Sequence, residues 1–382
     1  MELEGPRAVR PGEMDGVRRL ATTVFASASY PPERVPGEYP HLFQEPNREN
    51  LRTIVAGNRP VSLVGIHERT THYPRFTIKV GSIGSVCTYK EFRGRGLATR
   101  LMNHCERRMR ARGVDLVIVS GGRGLYRRLE YEPAGLERRY VVPASGVEAA
   151  GLRVRDAVLS DVPAMLDLYR KLEVRFERLE DDLGLALTAT LRQGRRHPRG
   201  AVVVERGRSL LAYMSFTLRT EDGGLVLVTD SANEVCGDPR AMVHAAGATA
   251  ARLGAREFNL AAPGAMRDLI DLCERGGFRK DTGPYQGTFK LLNPPRLLEK
   301  LRPHIAARAG GAVARDLRLR RARRSYVFEL NGQRHAVAGQ SGLLGLVFEP
   351  GPEPDSLPRN GLGEALSACF PLPLIWSGFN YV

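Results

Sequence analysis

Between Gly84 and Met102 the chain reads Gly-Ser-Val-Cys-Thr-Tyr-Lys-Glu-Phe-Arg-Gly-Arg-Gly-Leu-Ala-Thr-Arg-Leu-Met. Two arginines and two glycines, at 93 to 96, stand between a Val-containing stretch and a run with helical periodicity. That combination suits an oxyanion. Glycine lets a backbone approach a ligand closely. The first N–H groups of a helix have no partner within it, and the helix dipole adds positive potential to that of the arginines. A bound pyrophosphate is the chemistry implied. The pattern GxxxxGK(S/T) is absent, so this is not a nucleoside triphosphate loop, and the spacing is not GxGxxG. Taken alone, the segment also fits an ordinary glycine-rich turn from strand to helix.

The flanking elements must position this loop. A strand is predicted to end at Thr88. A helix follows from about Gly96 to Arg112, with Leu97, Leu101, Cys105 and Met109 on one face and Gly113 as its left-handed stop. Residues 114–120 (VDLVIVS) are mostly apolar, as in a strand covered on both faces. A short helix then carries Leu125, Tyr126 and Leu129, and residues Tyr131 to Pro143 are expected to close the unit with one or two strands. Upstream, Met14, Val17, Leu20 and Val24 mark a helix, and Leu51–Ala56, Val61–His67 and Phe76–Thr88 read as strands.

A similar order recurs. Strands near 152–157, 201–205, 210–218 and 225–230 surround a helix over Val162, Leu166, Tyr169 and Leu172. Another helix stops at Gly254, a strand spans 257–261, and a further helix stops at Gly276. The shared order suggests an internal duplication. Pro294-Pro295 marks a second boundary. Beyond it lie a helix within 296–310, a hairpin turning at Asn331-Gly332, a strand at 344–348 and a helix at 362–369. The last residues, Ile375 to Val382, are apolar and aromatic, unlike most frayed termini, and are expected to pack inside the protein.

The composition narrows the function. The five cysteines form no CxxC pair and the eight histidines no HExxH, so neither a disulfide framework nor a metal centre is expected. No apolar run is long enough for a transmembrane helix, and residues 1–6 are acidic and lack an apolar core, so a cytoplasmic protein is expected. The net charge of +15 fits either an anionic partner or solvated arginines spread over the surface. The densest basic run, Arg315 to Arg324, is interleaved with leucines and reads as one face of an edge strand or helix. Patterns of the common RNA- or DNA-binding modules are missing, so nucleic acid is not a favoured partner.

In this setting Arg93-x-x-Gly96-x-Ala98 resembles the Q/R-x-x-G-x-G/A cofactor signature of the GNAT acetyltransferase superfamily. The whole-chain pattern resembles the enhanced intracellular survival (Eis) type. It implies a mixed α/β (α+β) fold: a GNAT domain over 1–145, a degenerate GNAT-like domain over 150–293, and a sterol carrier protein-like domain over 296–382. The second unit has Asn233 to Arg240 where the signature would fall, and is expected not to bind the cofactor. The resemblance implies acetyl-CoA held by Val86, Cys87, Thr88, Arg93, Gly94, Arg95, Gly96, Leu97 and Ala98. It places Tyr126 where many relatives carry a general acid, with Tyr131 as the fallback, and brings the Val382 α-carboxylate back to the active site. Cys87 reads as core rather than as a nucleophile. Direct acetyl transfer to a small-molecule or lysine-type amine is the implied reaction, in a homo-oligomer. Glu33, Glu38, Glu45 and Glu180-Asp181-Asp182 are candidate acidic walls for the amine. The rival readings are a non-catalytic acetyl-CoA-binding regulator and a nucleic-acid-binding protein using Arg315 to Arg324.

Overall fold

The computed structural model describes residues 2–26, 35–144, 149–192, 198–221, 223–230, 232–352 and 356–381. Its strands are β1 (Leu3–Ala8), β2 (Leu51–Ala56), β3 (Arg59–Tyr73), β4 (Phe76–Thr88), β5 (Leu116–Val119), β6 (Leu136–Pro143), β7 (Arg153–Asp156), β8 (Arg175–Phe176), β9 (Arg199–Arg206), β10 (Ser209–Glu221), β11 (Gly224–Val228), β12 (Val235–Gly237), β13 (Glu257–Ala262), β14 (Lys280–Pro284), β15 (Thr288–Leu291), β16 (Arg318–Ala322), β17 (Ser325–Leu330) and β18 (Gln333–Ala338). Among the described residues they form three sheets. The first runs β1-β2-β3-β4-β5-β15, the second β14-β6-β13-β11-β10-β9-β7, and the third β16-β17-β18.

The first two sheets exchange a strand. β6 leaves the first sheet and pairs on both sides in the second, with β13 and β14. β15 returns from the second half of the chain to pair antiparallel with β5. The expectation that residues 131–143 close the first unit is therefore corrected. The alternating apolar residues Tyr140 and Val142 lie in the core of the second sheet. Alternation showed that these residues form a strand but carried no information about which sheet receives it.

Helices fill the layers around the sheets: α1 (Met14–Phe25), α2 (Val35–Glu38), α3 (Pro40–Phe43), α4 (Leu97–Ala111) and α5 (Gly124–Arg128) beside the first, and α6 (Val162–Tyr169), α7 (Glu180–Leu191), α8 (Pro239–Arg252) and α9 (Arg267–Arg275) beside the second. The predicted periodicity of α4 holds: Leu97, Leu101, Cys105 and Met109 are all buried. All four residues of β5 are buried too, because α4 covers one face and the C-terminal region the other. Leu116 and Ile118 share a core with Leu297, Ile305, Phe348 and Leu372.

The C-terminal region contains α10 (Pro294–Lys300), α11 (Arg302–Ala309), α12 (Gly311–Asp316), the third sheet, α13 (Gly339–Val347) and α14 (Gly361–Cys369). The Asn331-Gly332 turn closes β17 on β18 with both residues at positive φ, as a two-residue hairpin requires. Of the strand expected at 344–348, residues 344–347 instead belong to α13 and only Phe348 is extended, bridging Leu372. The apolar run of α13 is buried by helix packing, which a short run alone cannot distinguish from a strand. The region is tied down by polar contacts. Asp115, fully buried, accepts from Lys79 N (2.8 Å), Arg296 (3.1 Å) and Lys300 (2.5 Å). Gln340 bonds both backbone groups of Leu291 on β15.

The chain then runs back between the two halves, as its apolar composition suggested. Trp376 Nε1 donates to the Asn233 carbonyl (2.7 Å), and Phe379 N donates to Glu234 (3.3 Å). Glu234 is the hub. It receives both Nη groups of buried Arg178 (2.7 and 2.8 Å) and the Tyr213 hydroxyl (2.6 Å). Removing one member of such a buried pair strands the other charge, at a cost of about 3–5 kcal/mol. Glu234→Ala is expected to lose about that much in urea denaturation. Trp376 is the sole tryptophan, so its emission should shift to the red as the segment loosens; an unshifted spectrum would show that Glu234 does not hold it.

Candidate active site

β4 and β5 run in parallel register only from Val80↔Leu116 to Ile83↔Val119. β4 continues against β3 as far as Thr88. From Gly84 onward its other edge has no ladder partner on β5. A bulge causes the divergence. The register with β3 shifts between Gly84 and Cys87, and Ser85 sits at φ +51°. An extra residue in one strand bends it and turns its edge. The result is an open split in the first sheet, where Gly84–Thr88 has no strand partner on the β5 side.

A cavity of about 400 Å³ lies at this split, lined by Val86, Cys87, Thr88, Arg93, Ala98 and Tyr126, with Arg123 and Leu125 also at its wall. Arg93 Nε donates to the Thr88 carbonyl (3.1 Å), which ties the loop to the strand end. Gly94 and Gly96 adopt φ +78° and +70°, a region that L side chains rarely enter. Gly96 caps α4 with no side-chain hydrogen bond. The first intrahelical bond is Arg100 N to the Gly96 carbonyl (3.0 Å), so the N–H groups of Leu97, Ala98 and Thr99 precede the ladder. Residues 93–96 are exposed, and the turn is open to solvent. The donors, the positive end of a 15-residue helix and the adjacent arginines fit a diphosphate, and the split fits an extended chain that pairs with β4. Both are what coenzyme A would require.

The structure thus brings together Val86, Thr88, Arg93 and Ala98 with Tyr126, as the sequence suggested. Tyr126, on α5, is buried and lines the cavity. Burial raises its pKa and nearby Arg123 opposes the rise, so the phenol holds its proton at neutral pH. Tyr131 is fully buried, packs edge-on to Tyr126 at 6.2 Å and does not line the cavity. Cys87 lines the wall but is buried, and burial pushes its thiol far up, so it is no nucleophile at neutral pH. Val382 lies outside the described residues, as does Glu33. Glu45 and the α7 carboxylates do not line either cavity at the split. Asp182 instead pairs with Arg69 (2.6 Å), and Glu180 and Asp181 lie on an outer face of α7.

A second cavity, about 660 Å³, opens on the other side of the split. Ser85 and Ser120 bring it to the parting strands, and Phe25 lines both cavities. Its far wall is β9 and β10 of the second sheet, and Tyr381 enters it with its phenol against Ser120. Burial pushes that phenol up to about 12. Sequence reasoning missed this wall, because nothing in β9 or β10 marks residues that come to face another sheet. It missed Glu137 for the same reason. Glu137, on exchanged β6, is 1% exposed and has Arg139 Nε 3.5 Å away. Burial raises its pKa to about 7, with Arg139 opposing and Asp230 reinforcing the rise.

Comparison with known proteins agrees with this geometry. Residues 6–134 match the model of the acetyltransferase (GNAT) domain family. No curated protein matches the chain. Solved structures share the fold over nearly its full length. A GCN5-related N-acetyltransferase from Anabaena variabilis has 14% identity and a TM-score of 0.58, over 89% of this chain and 86% of that one. Another, from Kribbella flavida, has 19% and 0.56 over 90% and 89%. Eis1 from Mycobacterium abscessus has 10% and 0.59 over 99% of both. Residues 6–134 are thus similar to an acetyltransferase (GNAT) domain, which supports acetyl transfer as the chemistry of this part of the chain.

Glu137 makes stability depend on pH. A carboxyl whose pKa is higher in the folded state than the ordinary 4.5 contributes stability that is complete below about pH 4.5 and lost as pH rises through about 7. Glu137→Gln is expected to remove that loss and to be the more stable protein at pH 8, by on the order of 1–3 kcal/mol. Denaturation midpoints at pH 5 and pH 8 measure it, and a gap between variant and parent that does not widen with pH contradicts it.

Proposed function

We propose that the protein moves an acetyl group from acetyl-CoA directly to a primary amine of a small molecule or lysine-type acceptor. The observation that supports this most is the junction of two cavities at one split between β4 and β5. The thioester would arrive along β4 from one side and the amine from the other. When bound, acetyl-CoA supplies the activated acyl carbon. The residues of this chain do the rest. Amides at 93–98 and Arg93 hold the diphosphate, and the β4 edge at Val86–Thr88, which has no partner on β5, orients the pantetheine arm. An N–H on that edge stabilises negative charge on the carbonyl oxygen. Tyr126 gives its proton to the leaving sulfur, which suits a phenol kept protonated by its surroundings, and the protons shed by the amine pass to solvent, from which the phenolate is reprotonated.

The two large sheets read as tandem GNAT-like units that trade β6 for β15, with domains over 1–145 and 150–293. The region over 296–382 reads as the sterol carrier protein-like domain. The second unit offers Asn233–Arg240 where the first has its loop, and β12 occupies part of that stretch. It serves the acceptor side instead. Tyr381, at the acceptor cavity, supports a role there for the neighbouring Val382 carboxylate in holding the cationic amine. A soluble cytoplasmic homo-oligomer remains the expectation; among the described residues no helix is long and apolar enough to cross a membrane.

Tyr126→Phe separates catalysis from binding. With acetyl-CoA and an amine panel, kcat should fall about 100-fold, within the usual range for loss of a general acid, while acetyl-CoA affinity stays within about twofold. An unchanged kcat removes Tyr126 from the mechanism. Thiol release by the parent protein, in turn, excludes a purely regulatory binding protein.

A further inference from the structure

The acceptor cavity has charges of both signs. Arg199 on β9 and Arg219 on β10 stand on its far wall, with Asp230, Glu221 and Glu38 around them. Thr217, which also lines the cavity, is the direct cross-strand partner of Arg199. Arg219 is therefore the diagonal neighbour of Arg199 on the same face. The two guanidinium groups are not equivalent. Arg219 is neutralised by Asp230 (2.9 Å), whose other oxygen accepts from Ala232 N. Arg199 is half-buried, makes no hydrogen bond or ion pair among the described residues, and its Nε is buried without a partner. A cation taken partly out of water and left unpaired is unfavourable unless an anion joins it, and arginine presents a fork that matches carboxylate or phosphate.

Position makes that anion part of the acceptor. Tyr381 spans the interval: its phenol lies against Ser120 at the split and feels the charge of Arg199. Ser85, Ser120, Tyr381 and Arg199 line the same cavity, so one acceptor can place an acidic group on Arg199 and its amine at the split. Resting on the transferase reading above, we infer that the preferred acceptor is a small amine that also carries an anionic group, a carboxylate or a phosphate, held by Arg199.

Matched acceptors test this with the full chain at saturating acetyl-CoA, reading CoA thiol release. The pairs are lysine against 1,5-diaminopentane, β-alanine against ethylamine, and 2-aminoethyl phosphate against ethanolamine. At least one acidic member should exceed its partner without the anionic group about tenfold in kcat/KM, a usual scale for one charge-assisted contact. The pair that shows it tells carboxylate from phosphate. In Arg199→Gln that ratio should collapse through KM, and Arg199→Lys should keep part of it. Two results overturn the inference alone: release that favours the member without the anionic group in every pair, or an Arg199→Gln variant that loses equally on both members, as a merely structural arginine would. Absence of release with every amine would overturn the transferase reading itself.

Discussion

Two neighbouring strands that part in the middle of a sheet leave backbone donors and acceptors without a ladder, and such groups cannot be abandoned in a buried place without a penalty of about 1–3 kcal/mol each. The rest of this protein depends on how that is managed between β4 and β5. The bulge at Ser85 opens the split. Tight pairing of β4 with β3 and of β5 with β15 keeps the two sides apart yet anchored. In the proposed function that edge is where the ligand pairs as a strand would, with the glycine turn and the start of α4 at the charged end.

Holding that geometry falls to parts of the chain far away in sequence. β15, which supports β5, comes from the second half, and α13 is bonded to it through Gln340. The C-terminal region covers the outer face of the first sheet. The buried Glu234–Arg178–Tyr213 group pins the returning chain so that Tyr381 reaches the acceptor cavity. The exchange of β6 for β15 couples the halves further, because neither sheet is complete without a strand from the other. One half thus supplies the glycine turn and the parted strand edge, and the other supplies the opposing wall of the second cavity.

Much of the cradle was legible in the sequence because its signals are local. The positive-φ glycines, the helix phase of Leu97 to Met109 and the doubly covered strand near 116–119 all lie within about 35 consecutive residues. Tyr126 follows at a short distance on the same unit. The acceptor wall was not legible, because it is a product of tertiary contact. Arg199, Arg219 and Glu137 look like ordinary surface residues until the fold brings Arg199 and Arg219 to the second cavity and buries Glu137. The same limit explains the two errors of pairing and type. β6 carries no mark of its partner, and the apolar run of α13 is too short to declare its period. The basic run at Arg315 to Arg324 runs from the end of α12 into edge strand β16, with Arg320 paired to Glu329 (2.7 Å).

The central claim is that an open, helix-capped turn and a parted strand edge form one coenzyme site. Isothermal titration of the full chain with acetyl-CoA measures it most directly. A single saturable heat is expected, competed by free CoA and weakened by added pyrophosphate, at one site per chain because the second unit lacks the turn. Flat heats across the titration, or two equal sites per chain, would contradict it.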